Sequence, residues 1–211
     1  MNCAYCDTNF ARAENCRVET FAGSGIFRDE KNFLNAAQVV EIIKKFCDEA
    51  PTHSVSFTGG EPLLQWQFLR DVATAVKNFG VKIFLETNGT LPDTLEKILD
   101  TVDIISMDIK LPGVSENLFT LHEKFLRLAQ AKDVYVKIVV TDSTTREEFL
   151  SAVELVAKVD KKILLIVQPV TPVGKVSAPS PKKILSFQAA ALRRLQDVRV
   201  IPQTHKFINL L

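Results

Sequence analysis

Short apolar runs alternate with amphipathic stretches of helical length along this chain, and that alternation restricts its fold more than any other feature. The runs lie at 54–58, 81–87, 103–110, 133–140, 161–168 and 197–201. Parallel strands need a crossover of a dozen or more residues to return to the same edge, and the intervening segments are long enough to supply one. Short, near-continuous apolar strands are those of a sheet covered on both faces. The chain is therefore expected to form one α/β domain with a parallel sheet and right-handed crossovers.

Local signals place the helices. Asn35 reads as an N-cap with Gln38 three residues on, and Val39, Ile42, Ile43 and Phe46 recur at helical spacing until Pro51. A second helix is expected from Leu63 to Phe79, stopped by Gly80, and a short one from Pro92 to Leu99. Ser115 to Ala131 reads as helix with Leu118, Leu121, Phe125 and Leu128 on one face. Thr144 is expected to cap a helix running to about Lys158, with Glu147 and Glu148 in its first turn, where the dipole favours them. Ser180-Pro181 opens the last helix. Asn9 to Asn32, with Gly23-Ser24-Gly25 inside it, reads as a polar loop with little regular structure.

A net charge of +1 offers no basic surface for nucleic acid or membrane, and no apolar run reaches the roughly 18 residues of a membrane span. Cys3, Cys6, Cys16 and Cys47 are irregularly spaced, with no secretory signal ahead of them. The expectation is a reduced, cytoplasmic protein whose thiols bind metal or act chemically. Cys47 falls near an apolar helix face and reads as a core residue.

Cys3-x-x-Cys6 can ligate one metal centre from a single loop, or act as a redox pair. Polar residues cluster at the ends of the strands: Thr58, Glu86 with Asn88, Ser106 with Asp108, Lys137, and Gln168. Parallel α/β folds build their sites on that edge. Gly59-Gly60-Glu61-Pro62 follows a strand directly; its glycines let backbone approach a ligand, and Glu61 can pair with an ammonium. The same four residues also make an ordinary strand-to-helix turn, and Thr87-Asn88-Gly89 an ordinary tight turn. Ser106 and Asp108 share one strand face, which can be a solvated edge. His53, His122, His205 and Lys206 read as solvated surface.

In combination, Cys3-Ala4-Tyr5-Cys6-Asp7-Thr8 and Thr58-Gly59-Gly60-Glu61-Pro62 resemble the radical S-adenosylmethionine (SAM) superfamily. Glu86-Thr87-Asn88-Gly89-Thr90, Ser106-Met107-Asp108, Gln168-Pro169-Val170 and Pro202-Gln203-Thr204-His205-Lys206 narrow the resemblance to the 7-carboxy-7-deazaguanine synthases, over nearly the whole chain. The resemblance implies a partial (β/α)6 TIM-like barrel, one radical SAM domain over 1–211. It implies a [4Fe–4S] cluster on Cys3 and Cys6, SAM contacts from Tyr5, Cys6, Asp7, Gly60, Glu61, Ser106, Asp108 and Gln168, a substrate contact from Thr58, and Mg²⁺ on Thr8. The implied reaction is the ring contraction of 6-carboxy-5,6,7,8-tetrahydropterin with loss of ammonia, on the route to queuosine-type nucleosides. An external reductant such as flavodoxin or ferredoxin and a homodimer are implied with it; no side chain is singled out as a base.

The chain departs from that pattern at its start. The family's first cluster cysteine would stand four residues before Cys3, ahead of Met1, as would a first strand and a Gln-Gly-Glu substrate segment. Cys16, ten residues after Cys6, does not match the missing ligand's spacing. The expectation is an N-terminally incomplete domain with its first strand missing and one sheet edge unpaired. Two other functions share part of this evidence: a radical SAM activase that generates a glycyl radical on a partner protein, and a non-catalytic protein holding zinc on Cys3 and Cys6.

Overall fold

The structure is a computed structural model that describes residues 13–112 and 118–207, the last of these by its backbone alone. Two short strands, β1 (Asn15–Glu19) and β2 (Phe27–Lys31), precede α1 (Ala36–Glu49). Then come β3 (Ser54–Phe57), a 3₁₀ turn (Pro62–Gln65) leading into α2 (Trp66–Lys77), β4 (Lys82–Thr87), α3 (Pro92–Glu96), β5 (Ile104–Asp108) and α4 (Phe119–Ala129). The chain continues through β6 (Asp133–Val140), α5 (Arg146–Val159), β7 (Leu164–Pro169), α6 (Pro181–Ala191), β8 (Val198–Val200) and α7 (Thr204–Phe207). Strands β3 to β8 form one parallel sheet in sequential order, at the six positions the apolar runs predict.

Sequential parallel order with right-handed crossovers sets every connecting helix on the same side of the sheet. On that side Ile83, Leu85, Ile105, Met107, Val136, Ile138, Leu165 and Val167 are fully buried, in one core with Val72, Leu95, Phe125, Phe149 and Val156 from the helices. Phe149 and Phe187 stack with ring centroids 4.5 Å apart and tie α5 to α6.

The other face of the sheet is less covered by the described residues. The opposite row carries Ser56, Phe84, Glu86, Ser106, Asp108, Tyr135, Lys137, Gln168 and Arg199. That row mixes aromatic and apolar residues such as Phe84, Ile104 and Ile166 with polar and charged ones, and Glu86, Asp108 and Lys137 stand toward the strand ends. Phe84 and Tyr135 approach to 6.2 Å across β5, and Ser106 between them is 2 % exposed.

Residues 13–32 are corrected: they form an antiparallel ribbon, not an irregular loop. Charged side chains on both of its faces hide its periodicity, and the backbone ladder supplies the order. The Glu19 carboxylate accepts the Gly25 N–H at 2.7 Å and the Gly23 N–H at 3.3 Å, closing the turn, and Arg17 lies 4.1 Å from the Phe27 ring centre. Lys45 of α1 donates to the Thr20 carbonyl and holds the ribbon to the domain.

Capping follows sequence at α1, where Asn35 and Gln38 form the expected capping box. At α5 the cap is Thr145, not Thr144: Thr145 takes the Glu148 N–H while the Glu148 carboxylate takes the Thr145 N–H. Both threonines have a glutamate three residues on; Thr144 is instead drawn to the Thr141 N–H at 2.9 Å. On α4 the buried stripe is His122, Phe125, Leu126 and Ala129, one residue round from the expected one, and Leu121 is 38 % exposed. Cys47 packs half-buried against the core, as expected, and Cys16 is a free thiol on β1.

Candidate active site

The polar strand ends converge because the parallel register stacks them along one edge. Phe57, just before Thr58, pairs with Leu85; Thr87 pairs with Met107, Asp108 with Lys137, and Val139 with Gln168. Thr58, Gly60, Glu61, Ser106, Asp108 and Gln168, expected as site residues, therefore sit on the C-terminal half of one sheet. Cys3, Tyr5, Cys6, Asp7 and Thr8 lie outside the described residues, as does the expected helix start at Ser115.

Glu61 is the most constrained of these side chains. Its Oε1 accepts the Thr87 hydroxyl at 2.8 Å and the Leu63 N–H at 3.2 Å, and its Oε2 accepts the Asn88 N–H at 2.9 Å. A carboxylate has about four acceptor positions, so one remains for a ligand. Burial lifts the Glu61 carboxyl above its ordinary value, and the bonds from Asn88, Thr87 and Leu63 pull it back. Asn88 closes its own turn, its Oδ1 accepting from the Thr90 hydroxyl and N–H.

Beside this clamp, Asp108 Oδ2 takes Lys110 Nζ at 2.7 Å, in a pair only 12 % and 16 % exposed. Lys137 Nζ stands 3.8 Å from Glu86. Burial holds the Tyr135 phenol above its ordinary value, with the neighbouring Ser106 opposing that shift. Gln168 Nε2 reaches the Pro202 carbonyl at 3.5 Å and Gln203 Oε1 takes the Thr171 N–H at 2.7 Å, so the segment after β8 folds onto the same edge.

Comparison with known proteins follows the same lines. The family model described as the radical SAM superfamily matches residues 1–173. The chain belongs to the radical SAM superfamily. Over its full length it is 38 % identical to the 7-carboxy-7-deazaguanine synthase of Geobacter sulfurreducens, covering 86 % of that protein, and 33 % identical to that of Methanocaldococcus jannaschii, covering 88 %. In fold it is similar to a radical SAM methyltransferase from Sphaerobacter thermophilus, with a TM-score of 0.60 at 13 % identity over 83 % of this chain and 58 % of that one.

Radical SAM enzymes use a [4Fe–4S] cluster and SAM, and the described residues fit the second of these. Gly59 and Gly60 have φ of +86° and +58°, and no described atom lies within 4 Å of where a Cβ would stand, so their backbone lines an open cradle. Asp108 Oδ1 is buried and, among the described residues, has no hydrogen-bond partner. Such an oxygen needs a donor, and a ribose hydroxyl or an ammonium supplies one. Among the described residues no group of three or more His, Cys, Asp or Glu side chains is placed to hold a metal ion.

Two residues that shape this edge were not expected to do so from the sequence alone. Thr87 continues the buried row of Ile83 and Leu85, and a hydroxyl in an apolar row was the available signal. His122, expected on the surface, is fully buried; its place three residues before Phe125 on an amphipathic helix was the signal. Its Nε2–H donates to the Asn88 carbonyl at 3.0 Å.

Burial lowers the His122 pKa to about 4, with Asp108 opposing that shift and Lys110 adding to it. The unfolded chain takes up this proton near pH 6.5, the folded chain only near pH 4. The stability it confers is thus complete above pH 6.5 and lost as pH falls toward 4, amounting to about 3 kcal/mol across the window. Urea unfolding from pH 4 to 8 should show this slope in the parent protein and its absence in His122→Gln; parallel slopes would contradict it.

Proposed function

We propose that the chain is a 7-carboxy-7-deazaguanine synthase, a lyase that contracts the ring of 6-carboxy-5,6,7,8-tetrahydropterin and releases ammonia in 7-deazapurine and queuosine biosynthesis. The observation that carries this reading is similarity along the entire chain to proteins of that name, up to 38 % identity, with strand-end residues of the matching type on one edge. Neither a glycyl-radical activase nor a zinc-holding scaffold accounts for relatives of that name along the full length.

Cys3 and Cys6 would hold the cluster, and Tyr5 and Asp7 would contact SAM. When bound, the cluster and SAM supply one-electron bond cleavage and abstraction of a hydrogen atom from the pterin. The chain's own part is position and charge. The Gly59-Gly60 backbone admits the methionyl end of SAM close to the strand, and the remaining lone pair of Glu61 faces its ammonium. Asp108 Oδ1, buried without a partner among the described residues, would accept a hydrogen bond from SAM, and Ser106 and Gln168 would contact it. Thr58, exposed at the end of β3, contacts the pterin. Thr8 would contribute a hydroxyl to Mg²⁺, a hard cation that takes oxygen ligands. A flavodoxin or ferredoxin supplies the electron, and the enzyme works as a cytoplasmic homodimer; among the described residues no helix is long and apolar enough to cross a membrane.

The test is turnover. Protein expressed from the full open reading frame, reconstituted anaerobically with iron and sulfide, should convert the carboxytetrahydropterin to 7-carboxy-7-deazaguanine and ammonia in the presence of SAM, Mg²⁺ and reduced flavodoxin. A loaded cluster with SAM cleavage but no deazapurine would set the substrate assignment aside. Recovery of zinc without iron would favour the metal-binding scaffold.

A further inference from the structure

The tight turn after β4 is held from behind. His122 reaches through the helix layer from α4, and its Nε2–H donates to the Asn88 carbonyl, 34 residues away in sequence. The same peptide segment presents the Asn88 N–H and the Thr87 hydroxyl to Glu61. The Gly89 N–H in turn donates to Thr87 Oγ1 at 3.2 Å, fixing the direction of that hydroxyl. Clearance at the turn is minimal: a Cβ on Gly89 would fall 2.5 Å from Met107 Cε and 3.3 Å from His122 Cδ2. Met107 lies between Ser106 and Asp108 on β5.

We propose that His122 is a positioning residue, which sets the 87–89 turn and through it the orientation of the Glu61 carboxylate at the sheet edge. The chain of contacts runs imidazole N–H, Asn88 carbonyl, Asn88 N–H and Thr87 hydroxyl, Glu61. A donor at Nε2 is required, because the acceptor is a carbonyl oxygen. The ring must therefore be the neutral Nε2–H tautomer or the cation, and a fully buried ring with its Nδ1 unpartnered among the described residues selects the neutral form. The imidazole reaches the turn from α4 through the Asn88 carbonyl, and its effect is transmitted by the turn. The proposal deepens the reading of this edge as a SAM site, but the orientation of Glu61 is testable without that reading.

The experiment compares His122→Gln, whose amide reaches about as far as imidazole Nε2 and keeps a donor, with His122→Leu, which fills space without one. Long-range ¹H–¹⁵N spectra of histidine-labelled protein should show one of the three imidazoles as the Nε2–H tautomer at pH 6 to 8, missing from both variants. Amide exchange at Asn88 should accelerate at least tenfold in His122→Leu and stay within threefold of the parent in His122→Gln. In the cluster-loaded enzyme, KM for SAM should rise about tenfold in His122→Leu with kcat within threefold, and the Gln variant should recover it. Equal Asn88 exchange in all three proteins, or a Gln variant no better than Leu, would overturn the proposal and leave His122 as core packing. If no protein, parent included, takes up SAM, the functional reading fails, while the exchange comparison still decides the role of His122.

Discussion

Glu61→Ala should lose about 100-fold in kcat/KM and destabilise the fold by about 3 kcal/mol. Removing the carboxylate leaves the Leu63 N–H, the Thr87 hydroxyl and the Asn88 N–H without their acceptor at once. A buried donor left unsatisfied costs about 1–3 kcal/mol. Thr87 is 5 % exposed and pays that cost in full, whereas the Gly59-Gly60 side of the turn is open and water relieves the others. The activity loss adds the proposed contact with the SAM ammonium, and a factor of 100 corresponds to about 2.7 kcal/mol. Glu61→Gln separates the two contributions: it retains one acceptor oxygen but turns an NH₂ toward a donor and removes the charge. Urea titration of the folded protein and equilibrium binding of SAM to the loaded enzyme measure them independently. A Gln variant that binds SAM as tightly as the parent would assign Glu61 to the clamp alone.

Gly89→Ala should destabilise by about 3 kcal/mol, as read by the midpoint and slope of urea unfolding. Its φ of +68° costs any L-residue about 1 kcal/mol or more. The new methyl also stands 2.5 Å from Met107 Cε and 2.9 Å from Cγ. Met107 is fully buried, so it gives way only by moving the core, and overpacking of that kind costs about 1–3 kcal/mol. Gly25→Ala is the control: its φ is +63° with nothing within 4 Å, so it carries the backbone cost without the clash. Equal destabilisation by the two substitutions would refute the packing argument.

Much of the fold was legible because periodicity is a local property. The six apolar runs needed no partner to be recognised, and neither did the Asn35-x-x-Gln38 capping box or Ser180-Pro181. Where charge obscured the period, as in 15–31, the ribbon was missed. On α4 two apolar stripes one residue apart compete, and the one that is buried carries His122. The site was legible as a set of strand-end residues, because parallel order places such ends together whatever the details of packing.

What the sequence determined by itself is the succession of strands and helices, and hence which polar residues share an edge. What only the tertiary structure decided is what those residues do to one another. The bonds from Thr87 and Asn88 to Glu61 span 26 and 27 residues, and that from His122 to Asn88 spans 34. None of them has a local signature, because each follows from the register of β3, β4 and β5 and from which face of α4 turns inward. The same register decided that the second face of the sheet gathers Glu86, Asp108 and Lys137 toward one edge. A strand reports its own alternation, but only the assembled sheet sets on which side the helices lie.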